Sequence, residues 1–117
     1  MNTEIPPDFA VDAEPVGDAY VVAAAGELDL GTVGHLRSAL AARPPECTRL
    51  VLDLSGLTFF DTSGMRLVVE TMQELGTAGI RFAILRGGPD VQRLFAITRL
   101  EDRLPFFDDL DEAIAAA

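Results

Sequence analysis

The chain has 117 residues, a net charge of −10 and a hydrophobic fraction of 49%. This length is typical of one domain, and this apolar content supports a core and excludes a disordered chain. No apolar run approaches the roughly 18–20 residues that a membrane-spanning helix needs, and the first residues lack the basic start of a signal peptide. We therefore expect a single cytoplasmic domain over residues 1–117, with the first eight residues mobile and no membrane association.

The acidic charge is concentrated at the two ends of the sequence. Residues 1–30 contain seven acids and no base, and residues 101–117 contain six acids and one arginine. Residues 31–100 contain eight of the nine arginines, and the chain has no lysine. An acidic surface repels the phosphate backbone of nucleic acids, so direct nucleic-acid binding is disfavoured. A protein partner with a cationic patch is the better expectation.

In chain order, two strands and a helix come first. A short edge strand is predicted over 9–14, where flanking prolines bound it, and a second strand over 20–25. The segment Gly26–Asp29 is then expected to turn the chain. Apolar residues at helical spacing predict a helix over 32–42, which ends before two prolines.

A buried strand and the most amphipathic helix follow. The apolar run over 50–54 is typical of a buried parallel strand, and residues 55–60 are expected to form a loop. The next helix has an apolar face at 0, +3, +4, +7 and +10, and Gly76 is expected to close it. That face consists of Met65, Val68, Val69, Met72 and Leu75.

The last third of the chain continues the alternation. It contains a strand over 80–85, a short helix capped by Asp90, a brief strand over 104–107, and a helix capped by Asp108 or Asp109 that runs to Ala117. Alternating strands and helices predict an α/β fold with right-handed crossovers. We expect a mixed, mostly parallel sheet of four or five strands, packed with about four helices, whose first strand runs antiparallel at the edge.

The segment Asp61-Thr62-Ser63-Gly64 opens the amphipathic helix directly after the expected loop. Helix N-termini carry unpaired N–H groups and a partial positive charge, so a phosphate or carboxylate is stabilised there. Gly64 is expected to let a phosphate or another backbone approach closely. Ser63 therefore combines an accessible hydroxyl with a place for the anion it would become, although simple capping by Asp61 or Thr62 explains the same residues.

Three segments together resemble the STAS-domain anti-sigma factor antagonists of bacteria. In chain order they are Gly26-Glu27-Leu28-Asp29, then Leu52-Asp53-Leu54-Ser55-Gly56-Leu57 followed by Asp61-Thr62-Ser63-Gly64, and finally the C-terminal segment Phe106–Ala113. The segments occur in the family's order with suitable spacing, so the resemblance covers nearly the whole chain. It implies the STAS fold and a regulatory protein rather than an enzyme.

The resemblance implies that Ser63 is phosphorylated by an anti-sigma factor that is also a serine kinase, because the second hydroxyl of the family's motif is the acceptor. Thr62 replaces the first serine of that motif. Arg66 stands where several relatives have a small residue, and Arg99 where many have glycine, so the turn after Ile97 is expected to differ. The implied switch surface consists of Asp29, Asp61, Thr62, Ser63, Gly64 and Arg66.

The resemblance implies release from the partner when Ser63 is phosphorylated. No cofactor is expected, and a monomer is favoured for a solitary switch, although the oligomeric state is left open. An alternative within the same fold is a scaffold subunit of a lipid-transport or stress-signalling assembly that does not switch. One aromatic of the pair Phe59-Phe60 is expected in the core and the other partly exposed near Ser63.

An enzyme is the weaker interpretation. Ser63 lacks the glycine-flanked elbow of a nucleophilic serine, and a phosphate-binding loop with a lysine is impossible. With one histidine, His35, on another predicted helix, and one cysteine, Cys47, neither a catalytic base nor a metal site is indicated.

Overall fold

The computed structural model describes residues 6–116, which contain one five-stranded sheet in the order β1-β2-β3-β4-β5. β1 pairs antiparallel with β2, and the remaining neighbours are parallel. The strands are β1 (Phe9–Val16), β2 (Ala19–Leu28), β3 (Arg49–Phe60), β4 (Arg81–Leu85) and β5 (Phe106–Phe107). The predicted mixed, mostly parallel sheet with an antiparallel edge strand is confirmed.

Within residues 6–116, four helices cover the two faces of the sheet unequally. They are α1 (Val33–Ala41), α2 (Thr62–Ala78), α3 (Pro89–Ile97) and α4 (Leu110–Ala116). α1, α2 and α3 pack on one face, because their buried side chains share a core with Leu50, Leu52 and Leu54 of β3. α4 packs on the other face around Val51 and Ala113. Each crossover from β2 onward moves one strand along the sheet, so right-handed connections place the first three helices on the same side.

The expected mobility of the first eight residues can be examined only from Pro6 onward, since residues 1–5 lie outside the described part. Asp8 is tied to the sheet edge, because its carbonyl oxygen accepts a 2.8 Å hydrogen bond from the Glu27 backbone N–H. In the described range no helix has both the length and the apolar character needed to cross a bilayer.

The predicted turn over Gly26–Asp29 and the predicted loop over residues 55–60 are both wrong. β2 and β3 instead continue as a two-stranded extension, in which Gly26 pairs with Leu57 and Leu28 with Phe60. β4 ends earlier, at the register of Asp53, so the extension projects beyond the main sheet. Two register shifts accompany it, and Gly26 has φ +89°, where a Cβ would overlap the Asp8 carbonyl.

Two helix boundaries also differ from the prediction. α2 runs past Gly76 to Ala78 and ends at Gly79, which has the left-handed conformation (φ +75°) that a C-terminal glycine adopts easily. Gly88 occupies the N-cap position of α3, Pro89 starts it, and Asp90 lies within its first turn rather than capping it. Asp109 does cap α4, since its side chain accepts a 2.7 Å hydrogen bond from the Asp111 N–H.

The turn after Ile97 keeps the geometry that glycine favours, although arginine occupies the position. Arg99 has φ +62°, and it is the one non-glycine residue with positive φ in the described range. The backbone N–H groups of Arg99 and Leu100 donate to the carbonyls of Ala96 and Phe95, closing α3 as a left-handed residue normally does. Arginine therefore takes the left-handed conformation that glycine adopts easily, despite the local strain of a Cβ. A difference between this turn and that of the relatives stays a prediction.

Candidate functional site

The candidate site lies where β2 and β3 end side by side. Leu28 pairs with Phe60, so the residues that follow them, Asp29 and Asp61, leave adjacent strands at the same edge. Strand neighbours are about 4.8 Å apart, which brings these two segments close together. The Asp61 N–H also donates to the Leu28 carbonyl at 3.3 Å. The extension of β2 and β3 thus carries both predicted acidic residues to one place.

Asp61 is the N-cap of α2. Its Oδ1 accepts a 2.9 Å hydrogen bond from the backbone N–H of Ser63, and its carbonyl accepts from Met65. Capping by Asp61 describes this hydrogen bond, because the carboxylate contacts the Ser63 backbone. Thr62 then starts the helix with its side chain exposed.

Ser63 lies in the first turn of α2 and is partly exposed. Its side chain borders an open groove of about 320 Å³ between α1 and α2. The groove is lined by Leu30, Val33, Arg37, Thr62, Ser63 and Arg66. Within residues 6–116, the Ser63 backbone N–H donates to Asp61, whereas the Ser63 hydroxyl forms no hydrogen bond with another residue. Within the described residues, the hydroxyl therefore adds no hydrogen bond to the fold.

Gly64 faces the core and not the groove. A Cβ at this position would lie 2.7 Å from Cε1 of Phe60 and 2.8 Å from Cδ2 of Leu28. The expectation that Gly64 leaves space for a phosphate is therefore wrong, because the space is filled by Phe60. The Phe60 ring in turn stacks on Phe95 of α3, with ring centroids 5.1 Å apart. Gly64 lets the first turn of α2 approach the end of β3.

The turn between β2 and α1 is held by its own side chains. Asp29 Oδ1 accepts hydrogen bonds from the backbone N–H groups of Gly31 (2.9 Å) and Thr32 (3.1 Å). The buried Thr32 hydroxyl donates to the Glu27 carbonyl at 2.8 Å and accepts from the Asp29 N–H at 2.9 Å. Asp29 consequently fixes a rigid turn beside Ser63, and this turn presents Leu30 to solvent.

Exposed apolar side chains surround this end of the molecule. Leu30 is 79% exposed, Ile97 70% and Phe59 47%. Ile97 lies at the end of α3, whose next residue, Thr98, contacts Met65 of α2 at 3.4 Å. Of the aromatic pair, Phe60 packs against the core and Phe59 is exposed, as expected, while the nearness of Phe59 to Ser63 stays a prediction.

The structure brings together most of the predicted site residues and adds three others. Thr62, Ser63 and Arg66 line one groove, with Asp61 and Asp29 at the strand ends beside it. Leu30, Val33 and Arg37 complete the groove and were missed by sequence reasoning. One signal for Leu30 was available: it is a large apolar residue between Asp29 and Gly31, in a turn where no core position is expected.

The histidine and the cysteine, the other two residues considered for chemistry, do not line the groove beside Ser63. His35 is in α1, and its backbone N–H donates to the Thr32 carbonyl. The Cys47 thiol donates to the Arg49 carbonyl at 3.2 Å, before β3 and at the opposite end of the sheet from Ser63. Within the described chain, no group of three or more histidine, cysteine or acidic residues is arranged to hold a metal ion.

Comparison with known proteins agrees with this architecture. The family model described as STAS domain matches residues 10–113. The anti-sigma-B factor antagonist of Staphylococcus epidermidis is 35% identical over 86 residues, covering 73% of this chain and 80% of the relative. The crystal structure of an anti-sigma factor antagonist from Mycobacterium paratuberculosis superposes with a TM-score of 0.85 and 29% identity, covering 97% of each chain.

A third relative has been solved in two states. The anti-sigma factor antagonist SpoIIAA in its unphosphorylated form is 28% identical, with a TM-score of 0.71, and covers 88% of this chain and 90% of its own. The phosphorylated form of the Bacillus SpoIIAA is 26% identical, also with a TM-score of 0.71, over 91% and 97%. From the matched residues and these similarities, the chain belongs to the STAS domain family.

Proposed function

We propose that this chain is an anti-sigma factor antagonist controlled by phosphorylation of Ser63. Unphosphorylated, it binds an anti-sigma factor that has serine-kinase activity, and phosphorylation releases it. The observation that carries the proposal is the position of Ser63, a partly exposed residue that lines an open groove in the first turn of α2. The names of its relatives, and the two solved states of SpoIIAA, support this function.

The proposed docking surface is the end of the sheet around Ser63. It combines the groove with the Asp29–Thr32 turn and the exposed side chains of Leu30 and Phe59. Apolar anchors surrounded by polar groups are typical of protein interfaces. A kinase partner that docks here would reach the Ser63 hydroxyl without any rearrangement of the fold. We place the chain in the cytoplasm as a monomer, because sigma factors act where transcription occurs and a single switch needs one copy.

The proposed reaction transfers the γ-phosphoryl group of ATP to Ser63 Oγ. A new P–O bond forms to Oγ, the bond between the γ-phosphorus and the oxygen bridging to the β-phosphorus breaks, and ADP leaves. The hydroxyl proton passes to a base of the partner, which also supplies ATP and Mg²⁺. Because phosphoryl transfer depends mainly on positioning, the substrate chain needs only an accessible and fixed hydroxyl.

Phosphorylation would weaken the complex through charge. It adds about −1.5 to −2 charges beside Asp61, whose carboxylate contacts the Ser63 N–H, and close to the Asp29 turn. A docked partner would bury this charge against two carboxylates, and burial of uncompensated charge is unfavourable. A coupling of about 2–4 kcal/mol corresponds to an affinity lower by about 30- to 1,000-fold, which suffices for a switch.

The experiment compares Ser63→Ala, Ser63→Glu and the matched control Thr62→Ala. Each protein is incubated with ATP, Mg²⁺ and a kinase-type anti-sigma factor from the same organism, and intact mass and equilibrium binding are measured. We expect one phosphoryl group on the wild type and on Thr62→Ala, and none on Ser63→Ala. Ser63→Ala should bind like the wild type, and Ser63→Glu at least tenfold more weakly.

Labelling of Ser63→Ala, or labelling lost only in Thr62→Ala, would assign the acceptor to another hydroxyl and contradict the proposal. If Ser63→Glu and the wild type bind with the same affinity, phosphorylation does not control docking. That result would favour the alternative of a scaffold that does not switch.

A further inference from the structure

The groove beside Ser63 carries positive charge in a strongly acidic protein. Two of its six lining residues are arginines, Arg37 from α1 and Arg66 from α2, and none is acidic. The whole chain has a net charge of −10. Arg66 follows Ser63 by three residues on the same helix, so the two side chains lie on one helix face. Arg37 reaches the same groove from the neighbouring helix.

The two arginines differ in their ion pairing. Arg37 Nη1 is 3.0 Å from Glu70 Oε2, and both side chains are well exposed, at 54% and 43%. Within residues 6–116, Arg66 makes no ion pair. An exposed pair such as Arg37–Glu70 is weak and exchanges readily. Both guanidinium groups can therefore respond to a new anion in the groove.

We propose that this groove is the receptacle for the phosphoryl group of phosphorylated Ser63, held between Arg66 and Arg37. The inference rests on the proposed function for the phosphorylation itself and adds how this chain retains the group. Guanidinium groups bind phosphate through paired, charge-assisted hydrogen bonds, which are stronger than hydrogen bonds between neutral groups. Arg37 exchanges the single charge of Glu70 for the larger charge of the phosphate.

The charges around the groove explain why two arginines are needed. Asp61 precedes α2, Asp29 precedes α1, and Glu70 lies one turn beyond Arg66 on α2. A phosphoryl group on Ser63 would meet repulsion from these carboxylates in the free protein. Arg66 from α2 and Arg37 from α1 are the cations that line the groove and offset this repulsion.

The receptacle has a consequence for regulation. A partner docked over the groove would have to share it with the phosphoryl group or separate that group from the arginines. The arginines therefore stabilise the free phosphorylated state, and any interaction made only in the free state weakens binding. Release then depends on occupancy of the groove as well as on repulsion of charge.

The test uses the full chain with phosphoserine introduced at position 63 during translation, so that no kinase is required. The midpoint of the phosphate titration, about pH 6 for an isolated phosphoserine, is followed by ³¹P NMR. Wild type is compared with Arg66→Gln, Arg37→Gln and the matched control Arg93→Gln, an exposed arginine on α3 outside the groove. Removal of a groove arginine should raise the midpoint by about 0.5 to 1 pH unit, because the dianion loses a cation.

Arg93→Gln removes the same charge from the molecule and should leave the midpoint within about 0.2 pH units of wild type, since the distance and the salt screen it. Thermal unfolding of the unphosphorylated variants should show that all of them fold. Equal midpoints for the wild type and both groove variants would overturn the receptacle, as would an equal rise in all three variants. Neither result bears on the proposed function, which fails instead if Ser63→Glu leaves partner binding unchanged.

Discussion

At the residue scale, Asp61 combines two properties that substitution can separate: a hydrogen-bond acceptor that caps α2 and a negative charge beside Ser63. Asparagine keeps the acceptor and removes the charge, whereas alanine removes both. We expect Asp61→Ala to lower the free energy of unfolding by about 1 kcal/mol, the usual cost of a lost cap. Asp61→Asn should cost less than about 0.5 kcal/mol, because only the attraction between the charge and the helix N-terminus is lost.

Urea unfolding followed by circular dichroism measures both variants. The comparison is informative because each variant serves as the control for the other at the same position. If Asp61→Asn is as destabilising as Asp61→Ala, the negative charge of Asp61 stabilises the start of α2, and its hydrogen bond to the Ser63 N–H contributes little to the free energy of unfolding.

Local rules predicted residues of the site only where one short segment carries them, whereas Asp29 was identified through the family resemblance. Asp61, Thr62 and Ser63 are consecutive, so local rules of helix capping identify them without knowledge of the fold. Arg37 and Leu30 lie more than 20 residues earlier and meet Ser63 only because α1 and α2 pack on the same face of the sheet. Gly64 was predicted as a point of close approach for a phosphate or another backbone, but its near neighbours are the Phe60 and Leu28 side chains.

At the element scale, the position of α2 depends on how closely its first turn approaches the end of β3. Gly64→Ala would place a Cβ 2.7 Å from the Phe60 ring and 2.8 Å from Leu28. Overpacking of a core costs about 1–3 kcal/mol, and the gain in helix propensity recovers about 1 kcal/mol. We expect a net loss of about 1 kcal/mol and weaker partner binding, because the first turn of α2, which bears Ser63, is displaced.

Gly76→Ala is the matched control on the same helix. Nothing lies within 4 Å of a Cβ built at Gly76, and the residue is exposed. The exchange should therefore raise the free energy of unfolding by about 0.5–1 kcal/mol through helix propensity alone. Thermal unfolding of the two variants in parallel tests the packing explanation, which is wrong if both glycines respond in the same direction.

The order and type of the elements followed from the spacing of apolar residues, whereas the extension of β2 and β3 did not. Residues 55–60 contain serine, glycine and threonine, which local rules assign to a loop. They form a strand because Gly56 and Leu57 find partners in Ala25 and Gly26 across the register shifts. Pairing between distant segments decides such boundaries, and no local pattern reports it. Contacts with distant segments also decide the buried face of α2. Leu67 and Thr71 are buried there, whereas Met65 and Met72 are only partly buried.

At the scale of the whole molecule, the balance between attraction and repulsion of charges determines how salt affects stability. In residues 6–116 there are three ion pairs, each with at least one well-exposed side chain: Arg37–Glu70, Arg43–Glu74 and Arg86–Asp108. Exposed pairs contribute about 0–1 kcal/mol each, and salt weakens them. Against them stands the mutual repulsion that a net charge of −10 produces in a compact domain.

We expect repulsion to dominate, so that NaCl stabilises the fold at pH 7. An increase from about 0.02 to about 0.5 M shortens the screening length several-fold and should raise the Tm by about 3–5 °C, measured by calorimetry. The double variant Asp12→Asn/Glu14→Gln is the control, since both acids are exposed on β1. With two negative charges removed, its Tm should start higher at low salt and rise less. A Tm that falls with salt would mean that the three ion pairs outweigh the repulsion of the excess acids. The same result would also count against charge repulsion as the means by which phosphorylation expels a partner.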